Sequence, residues 1–194
     1  STDGKTWTNR LTDSNNAYLG IARNANTFVG VGYTGKIAYS TDSGTNWTKL
    51  SKSFLLPASS WNWCTGNSSR FIASGNTATA MVVSSDDGIS WDIRVTSTTF
   101  TGYTLTGTGY IVWNGTIFVG IVSTSTQSRT IYSSDGITWT MGGALPSLGS
   151  WTALAWNGSV WATVRSGSNA AAYSTDGINW TSATLPVSAN WNHG

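Results

Sequence analysis

Short apolar segments alternate with polar, glycine-containing segments along the whole chain. Several of the apolar segments end in a tyrosine, as in residues 36–39, 130–132 and 171–173. Runs of this length, alternating or continuously apolar and bounded by turn residues, are typical of β-strands, and no stretch shows the longer period of an amphipathic helix. The pattern therefore predicts an all-β protein built from many short antiparallel strands.

Each of these segments leads into a phrase of the form Ser-x-Asp, an optional residue, and Gly-x-x-Trp. An Asp side chain can accept hydrogen bonds from the backbone N–H groups that follow it, and Gly supplies the positive φ of a tight reversal. The phrase therefore predicts a hairpin turn that delivers a Trp onto one face of the next strand. Its Asp and Trp residues in the five copies are Asp3 and Trp7, Asp42 and Trp47, Asp86 and Trp91, Asp135 and Trp139, and Asp176 and Trp180.

The third copy contains two adjacent carboxylates, Asp86 and Asp87. We interpret Asp86 as the turn residue and Asp87 as a solvated insertion, which gives this copy the same spacer as the copy around Asp42. The pair could also touch a cation, but the turn role accounts for the motif without a metal. We therefore predict no metal site.

The spacing of the phrase predicts the architecture. Successive Trp residues of the phrase are separated by 40, 44, 48 and 41 residues, a period that is typical of solenoids and propellers. A second marker, Asn-x-x-x-aromatic, precedes every copy except the first and predicts another turn and strand. The last unit then contains strands at about 151–156, 160–165, 170–174 and 178–183, and four antiparallel strands per unit describe a propeller blade.

We therefore predict a single β-propeller domain over residues 1–194. Four full blades lie at about 17–51, 60–96, 107–142 and 150–184, with a partial blade at 1–8 and the start of another first strand at 187–194. Three arrangements fit these limits: a five-bladed ring with a composite closing blade, part of a larger propeller, or chains that complete one another.

The phrase resembles the Asp box of the BNR, sialidase-like propellers, in which it lies between the third and fourth strands of a blade. Residues 28–32 followed by 35–40 also resemble blades of the Ycf48-like propellers. The resemblance covers nearly the whole chain and implies the propeller fold. It implies no particular activity, because one fold carries many functions.

Composition narrows the possible partners and cofactors. Only 9% of the residues are charged and the net charge is +2, with the basic residues scattered, so we expect no nucleic-acid partner. No transmembrane run is present, so we expect no membrane insertion. Cys64 is the single cysteine and is expected to be a buried core thiol. We expect no cofactor.

The inventory of catalytic residues argues against an enzyme. The sequence contains no Glu and eight Asp, five of which belong to the turns. Glycoside hydrolysis needs a positioned pair of carboxylates, or in sialidases a Tyr with an acidic residue and substrate-binding Arg residues. No Arg-Ile-Pro segment like that of sialidases occurs, and the only histidine, His193, is next to last. We predict no catalytic residues, and a glycoside hydrolase fragment is the least favoured alternative.

Aromatic residues outside the turns are the candidate ligand site. First strands line the channel of a propeller, so the rings at their starts could form one aromatic rim that stacks on sugars, or they could only plug the channel. These residues are Tyr18, Trp61, Tyr110, Trp151 and Trp191. Our first hypothesis is a non-catalytic, lectin-like module that binds glycans or a glycosylated surface. The alternative is a structural or assembly component of an extracellular or virion-associated particle that contacts neighbouring subunits and associates through its incomplete blade. Both place the protein outside the cell or on a virion or cell surface.

Overall fold

A computed structural model describes residues 5, 6, 8, 10, 18–50, 60–77 and 80–191. These residues form four antiparallel sheets of four strands each, in which sequential strands are neighbours. Apart from the 3-10 turn Tyr33–Gly35, the regular structure of the described residues is entirely β. The predicted all-β class and the four-stranded blades are confirmed.

The blades follow one another along the chain. The first two blades contain β1 (Tyr18–Asn24), β2 (Thr27–Gly32), β3 (Ile37–Ser40) and β4 (Thr48–Lys49), then β5 (Trp61–Gly66), β6 (Phe71–Thr77), β7 (Ala80–Ser85) and β8 (Asp92–Val95). The last two contain β9 (Leu105–Trp113), β10 (Phe118–Thr124), β11 (Ser128–Ser133) and β12 (Thr140–Ala144), then β13 (Trp151–Trp156), β14 (Trp161–Arg165), β15 (Ser168–Ser174) and β16 (Thr181–Ala189).

The second sequence marker forms the hairpin between the first two strands of a blade. In the third blade, Asn114 Oδ1 accepts hydrogen bonds from the backbone N–H groups of Thr116 and Ile117, both at 2.8 Å, while Gly115 has a φ of +102°. Asn67 and Asn157 accept the equivalent pairs of bonds in the second and fourth blades. The side-chain amide thus satisfies the backbone of a tight reversal.

Three hydrophobic clusters hold the blades together, one between each pair of consecutive sheets. The first contains Val29, Trp61 and Phe71 and joins the first two blades. The second, around Ile72, Ile111 and Phe118, joins the second and third blades, and the third, around Val119, Leu154 and Trp161, joins the third and fourth. The core therefore consists of three layers between sheets, as in a propeller.

The first strands of the blades lie innermost. Strand β1 contacts β5, β5 contacts β9, and β9 contacts β13. Within the described residues, no hydrophobic cluster joins the fourth sheet to the first. Among the residues that the structure describes, the outward faces of these two sheets therefore receive no cluster like those between the internal faces.

The end of the last blade differs from the sequence-based boundaries. Strand β16 begins at Thr181 and runs to Ala189, and its residues pair with β15 from Thr181↔Tyr173 to Ala189↔Ser168. Residues 187–189, which we placed at the start of another first strand, therefore continue the outermost strand of the fourth blade. Asp3 and Trp7 of the first turn phrase, and also His193, lie outside the described residues.

Candidate functional site

The turn phrase is a closed hydrogen-bond unit, seen most clearly around Asp176. Its Oδ1 accepts hydrogen bonds from the hydroxyl of Ser174 and from the backbone N–H groups of Ile178 and Asn179, all at 2.8 Å. The Ser174 hydroxyl oxygen in turn accepts a bond from Gly177 N at 2.8 Å. Asp135 makes the same contacts with Ser133, Ile137 and Thr138. These carboxylates stabilise the backbone of the turn.

The third copy uses a different register from the one that we predicted. Asp87, not Asp86, accepts the hydrogen bonds from the backbone N–H groups of Ile89 and Ser90, both at 2.8 Å. Its serine is Ser85, whose hydroxyl donates to Asp87 Oδ1 at 3.0 Å. The assignment of Asp86 as the turn residue is wrong. The third copy has the form Ser85-x-Asp87-Gly88 without a spacer, and its hydrogen bonds match those of the two later copies.

Asp86 instead occupies the variable position of the turn, between Ser85 and Asp87, and its carboxylate forms an ion pair with Arg70 at 2.9 Å. Among the described turns, the extra residue occurs only in the first blade. There Ser43 and Gly44 have φ values of 59° and 83°, and Asp42 Oδ1 accepts its backbone bond from Asn46 at 2.8 Å. The added residue is thus accommodated by two successive left-handed conformations.

The hydrogen bonds keep the turn carboxylates ionised. The backbone N–H of Asn46 and the hydroxyl of Ser40 lower the pKa of Asp42 from 3.8 to about 2. The pKa of Asp135 is lowered by the N–H of Ile137, which outweighs the effect of partial burial. Burial acts to raise the pKa of Asp87 and Asp176, but hydrogen bonds from the N–H groups of Ser90 and Asn179, respectively, prevail and lower it. A low pKa suits a structural acceptor and not a general acid.

The Trp residues of the turns lie against the sheets. Trp91 and Trp139 are buried in the first and second clusters, whereas Trp47 and Trp180 are half-buried. The Nε1 of Trp91 donates to Gly88 O at 3.2 Å, and that of Trp47 donates to Gly44 O at 3.0 Å. These bonds join each ring to its own turn.

Two of the proposed rim residues are part of the core. Trp61 is fully buried in the first cluster and Trp151 is buried in the third, and the Nε1 of Trp151 donates to Ser147 O at 3.0 Å. The expectation that both rings line an open rim is therefore corrected. Both begin an innermost strand, but their side chains point between the blades, so neither presents a face on which a sugar could stack.

The other three proposed ligand residues, Tyr18, Tyr110 and Trp191, are half-buried. Tyr110 contacts the edge of Trp63 with ring centroids 5.0 Å apart. Trp191 is held on the last blade, where its Nε1 donates to Ser168 O at 2.8 Å and its carbonyl accepts the hydroxyl of Thr152. The five residues thus do not form one continuous aromatic surface.

Sequence reasoning did not single out Trp63. Its Nε1 donates to Ile111 O of the next blade at 2.8 Å, and the register shift between Trp61 and Trp63 alters the alternation of the strand. The signal in the sequence was a second Trp two residues after Trp61. A bulge interrupts the strict alternation of side chains along a strand. The sequence alone therefore does not show which of the two Trp rings faces which neighbouring blade.

Depressions between the described side chains are possible ligand sites. One of about 390 Å³ lies beside the first sheet and is lined by Thr8, Arg10, Tyr18, Leu19, Gly20, Ile21, Gly30 and Trp47. Another of about 220 Å³ contains the Arg70–Asp86 ion pair and a second pair, Arg94–Asp92 at 2.8 Å. The first depression is largely apolar in composition, and the second is charged but internally paired.

The described residues include no group of three or more His, Cys, Asp or Glu that could hold a metal ion. They also include no helix of the length and apolarity that spanning a bilayer would require.

No protein-family model and no curated protein matches the chain. Among solved structures, YCF48 from Cyanidioschyzon merolae is similar, with a TM-score of 0.61 and 17% identity over 92% of this chain and 62% of that chain. A GH74 enzyme from Niastella koreensis aligns with a TM-score of 0.55 and 25% identity, over 92% of this chain and 25% of that chain. The computationally designed Ika4 protein aligns with a TM-score of 0.55 and 12% identity, over 90% and 95%. These likenesses support the β-propeller fold.

Proposed function

We propose that this chain is a non-catalytic binding module built from Asp-box blades. The proposal rests on the hydrogen bonds and ion pairs that already occupy the described carboxylates. Asp42, Asp87, Asp135 and Asp176 accept backbone hydrogen bonds within their turns, and Asp86 and Asp92 are paired with arginines. The sequence contains no Glu, so the described residues offer no carboxylate poised to act as a general acid or a nucleophile.

Hydrolysis assays test the absence of catalysis. Asp86 and Asp92 are the described carboxylates that pair with arginines and do not accept the backbone hydrogen bonds of a turn, and they lie in the charged depression. We expect no release of reducing sugar from a panel of α- and β-linked oligosaccharides, for the parent and for the Asp86→Asn/Asp92→Asn variant alike. Turnover by the parent that this variant abolishes would contradict the proposal.

Glycans are the ligand class that we propose first. It is favoured by the partly open rings of Tyr110 and Trp191, because an aromatic face beside hydroxyl and amide groups suits the apolar and polar edges of a sugar. Thr152 and Asn190 are the polar neighbours of Trp191 in space or in sequence. Such a site would bind without a charged partner, so its affinity should vary little with salt.

A glycan array followed by titration tests this ligand class. We expect saturable binding that is weakened in Tyr110→Ala and in Trp191→Ala. Tyr33→Ala is the matched control, because Tyr33 is an exposed ring in the 3-10 turn of the first blade and its loss should leave binding unchanged. An array without saturable binding would favour the assembly role, in which the module contacts neighbouring protein subunits.

A further inference from the structure

Equivalent positions of the four blades reveal an apolar residue without its usual cover. Three residues before the Asn of the first hairpin, each blade carries a side chain that faces the preceding blade. In the second, third and fourth blades this residue is Cys64, Ile111 or Leu154, with exposures of 3%, 1% and 5%. In the first blade it is Ile21, which is 64% exposed. Apart from Thr8 and Arg10, which border the depression beside Ile21, the described residues leave uncovered on the first sheet a face that its counterparts bury against a neighbour.

Among the described residues, the fourth blade lacks a cover on its opposite face, at a position that the other three blades bury. Five residues after the same Asn, the second strand carries a side chain that faces the following blade, and Val29, Ile72 and Val119 are each 0% exposed at this position. The turn glycine of the next blade covers them: a β-carbon on Gly88 would lie 2.6 Å from Val29 Cγ2, and one on Gly177 would lie 2.7 Å from Val119 Cγ2.

In the fourth blade the equivalent residue is Ala162, and it is exposed. Its partner on β15 is Tyr173, whose ring is exposed as well, and the pair Val164 and Ala171 lies next along the same two strands. In the first blade, the turn around Gly44 covers no described residue of another blade, since the described side chain nearest to a β-carbon there is Trp47 of the same turn. The two terminal faces thus carry the two halves of the contact that recurs inside the chain.

We propose that the face of the first blade around Ile21, Gly44 and Trp47 binds the face of the fourth blade around Ala162 and Tyr173 in a second copy of this chain. A second copy continues the series of internal interfaces, because it supplies both missing halves at equivalent positions. The contact is head-to-tail, so two copies joined at both ends form one closed ring of eight blades. This association does not depend on the ligand of the module.

Sedimentation velocity of the whole chain over a range of concentrations tests the association. We expect a reversible dimer for the parent. Ile21→Asp and Ala162→Asp each place a carboxylate in the contact, where its burial without a partner is unfavourable, so each should weaken association at least about ten-fold. Ser125→Asp adds the same charge on an exposed loop of the third blade and should sediment like the parent.

Mixing the two variants tests the polarity of the contact. Ile21→Asp keeps an intact fourth-blade face and Ala162→Asp keeps an intact first-blade face, so the mixture should recover a dimer that neither variant forms alone. Circular dichroism verifies that each variant is folded, and Ile21→Thr replaces Ile21→Asp if the charged variant is not. A parent that stays monomeric at all concentrations, or dimers that persist in either variant alone, would overturn the proposal.

Discussion

At the scale of single residues, the aspartates of the turns act as backbone acceptors, and their position relative to Gly decides which carboxylate takes this role. In the third copy, Asp87 is two residues after Ser85 and one before Gly88, as Asp176 is relative to Ser174 and Gly177. Asp86 carries the same charge one residue earlier but pairs with Arg70 on the surface. The two neighbouring carboxylates thus have different roles: Asp87 stabilises the backbone of the turn, and Asp86 forms a surface ion pair.

Substitution of these two aspartates separates the roles. Asp87→Ala leaves the N–H groups of Ile89 and Ser90 without their acceptor and should destabilise the fold by about 1–3 kcal/mol. Asp86→Ala removes one exposed ion pair and should cost about 0–1 kcal/mol. Urea unfolding followed by Trp fluorescence measures both. Equal losses, or a larger loss for Asp86→Ala, would contradict the register seen in the structure.

The same hydrogen bonds make stability depend on pH. Because Asp42, Asp87, Asp135 and Asp176 have lowered pKa values in the folded protein, the unfolded chain, with Asp pKa values of about 3.9, binds more protons at acidic pH. The stabilisation is therefore complete above the unfolded pKa and is lost as the pH falls from about 4 towards 2. Urea midpoints measured between pH 7 and pH 2.5 should decrease over that range.

A variant with an uncharged acceptor is the control for this pH dependence. Asp176→Asn can still accept backbone hydrogen bonds at its carbonyl oxygen but does not titrate. Its urea midpoint should fall less steeply below pH 4 than that of the parent. Parallel pH profiles for the two proteins would show that Asp176 does not contribute to the acid sensitivity.

At the scale of the structural element, the turn between the third and fourth strands also packs against the preceding blade. Gly136 has a φ of +71°, and a β-carbon there would lie 2.7 Å from Ile72 Cδ1 and from Arg70 Cδ. The glycine is thus required both by the reversal of its own chain and by the close approach of the neighbouring sheet. One turn therefore sets the geometry within a blade and between blades.

Alanine substitutions distinguish these two requirements. Gly102 also has a positive φ, +82°, but a β-carbon there would meet no atom within 4 Å. Gly102→Ala should therefore cost only the backbone strain, about 1–3 kcal/mol, whereas Gly136→Ala should lose roughly a further 1–3 kcal/mol from overpacking against Ile72. Thermal unfolding compares the variants, and equal losses would argue against the inter-blade contact.

At the scale of the whole molecule, repetition made the fold predictable and hid the details of the site. The period of the turn phrase and the Asn marker predicted four four-stranded blades, because both markers are local hydrogen-bond units that recur in each repeat. The burial of Trp61 and Trp151 was not predictable in this way. Their orientation depends on the neighbouring blade and on strand bulges, which a period in sequence does not specify.

The ends of the repeat series were also difficult to predict, for a related physical reason. Repeat proteins are stabilised mainly by contacts between neighbouring repeats, so an identical local pattern can be buried in one blade and exposed in another. Ile21 and Ile111 are the same residue type at equivalent positions, yet Ile21 is 64% exposed and Ile111 is 1% exposed. Only the presence or absence of a neighbour separates them.

Because Cys64 lies between the first two blades, the reactivity of its thiol reports whether these blades have separated. The thiol is buried between the first two blades, and burial raises its pKa, so it is protected both by lack of access and by its low thiolate content. We expect its reaction with a chromogenic disulfide reagent to be slow in the native protein and to accelerate as soon as the first blade separates. If that blade opens before the rest, labelling in moderate urea will precede the change in Trp fluorescence; simultaneous changes would instead indicate that all four blades unfold as one cooperative unit.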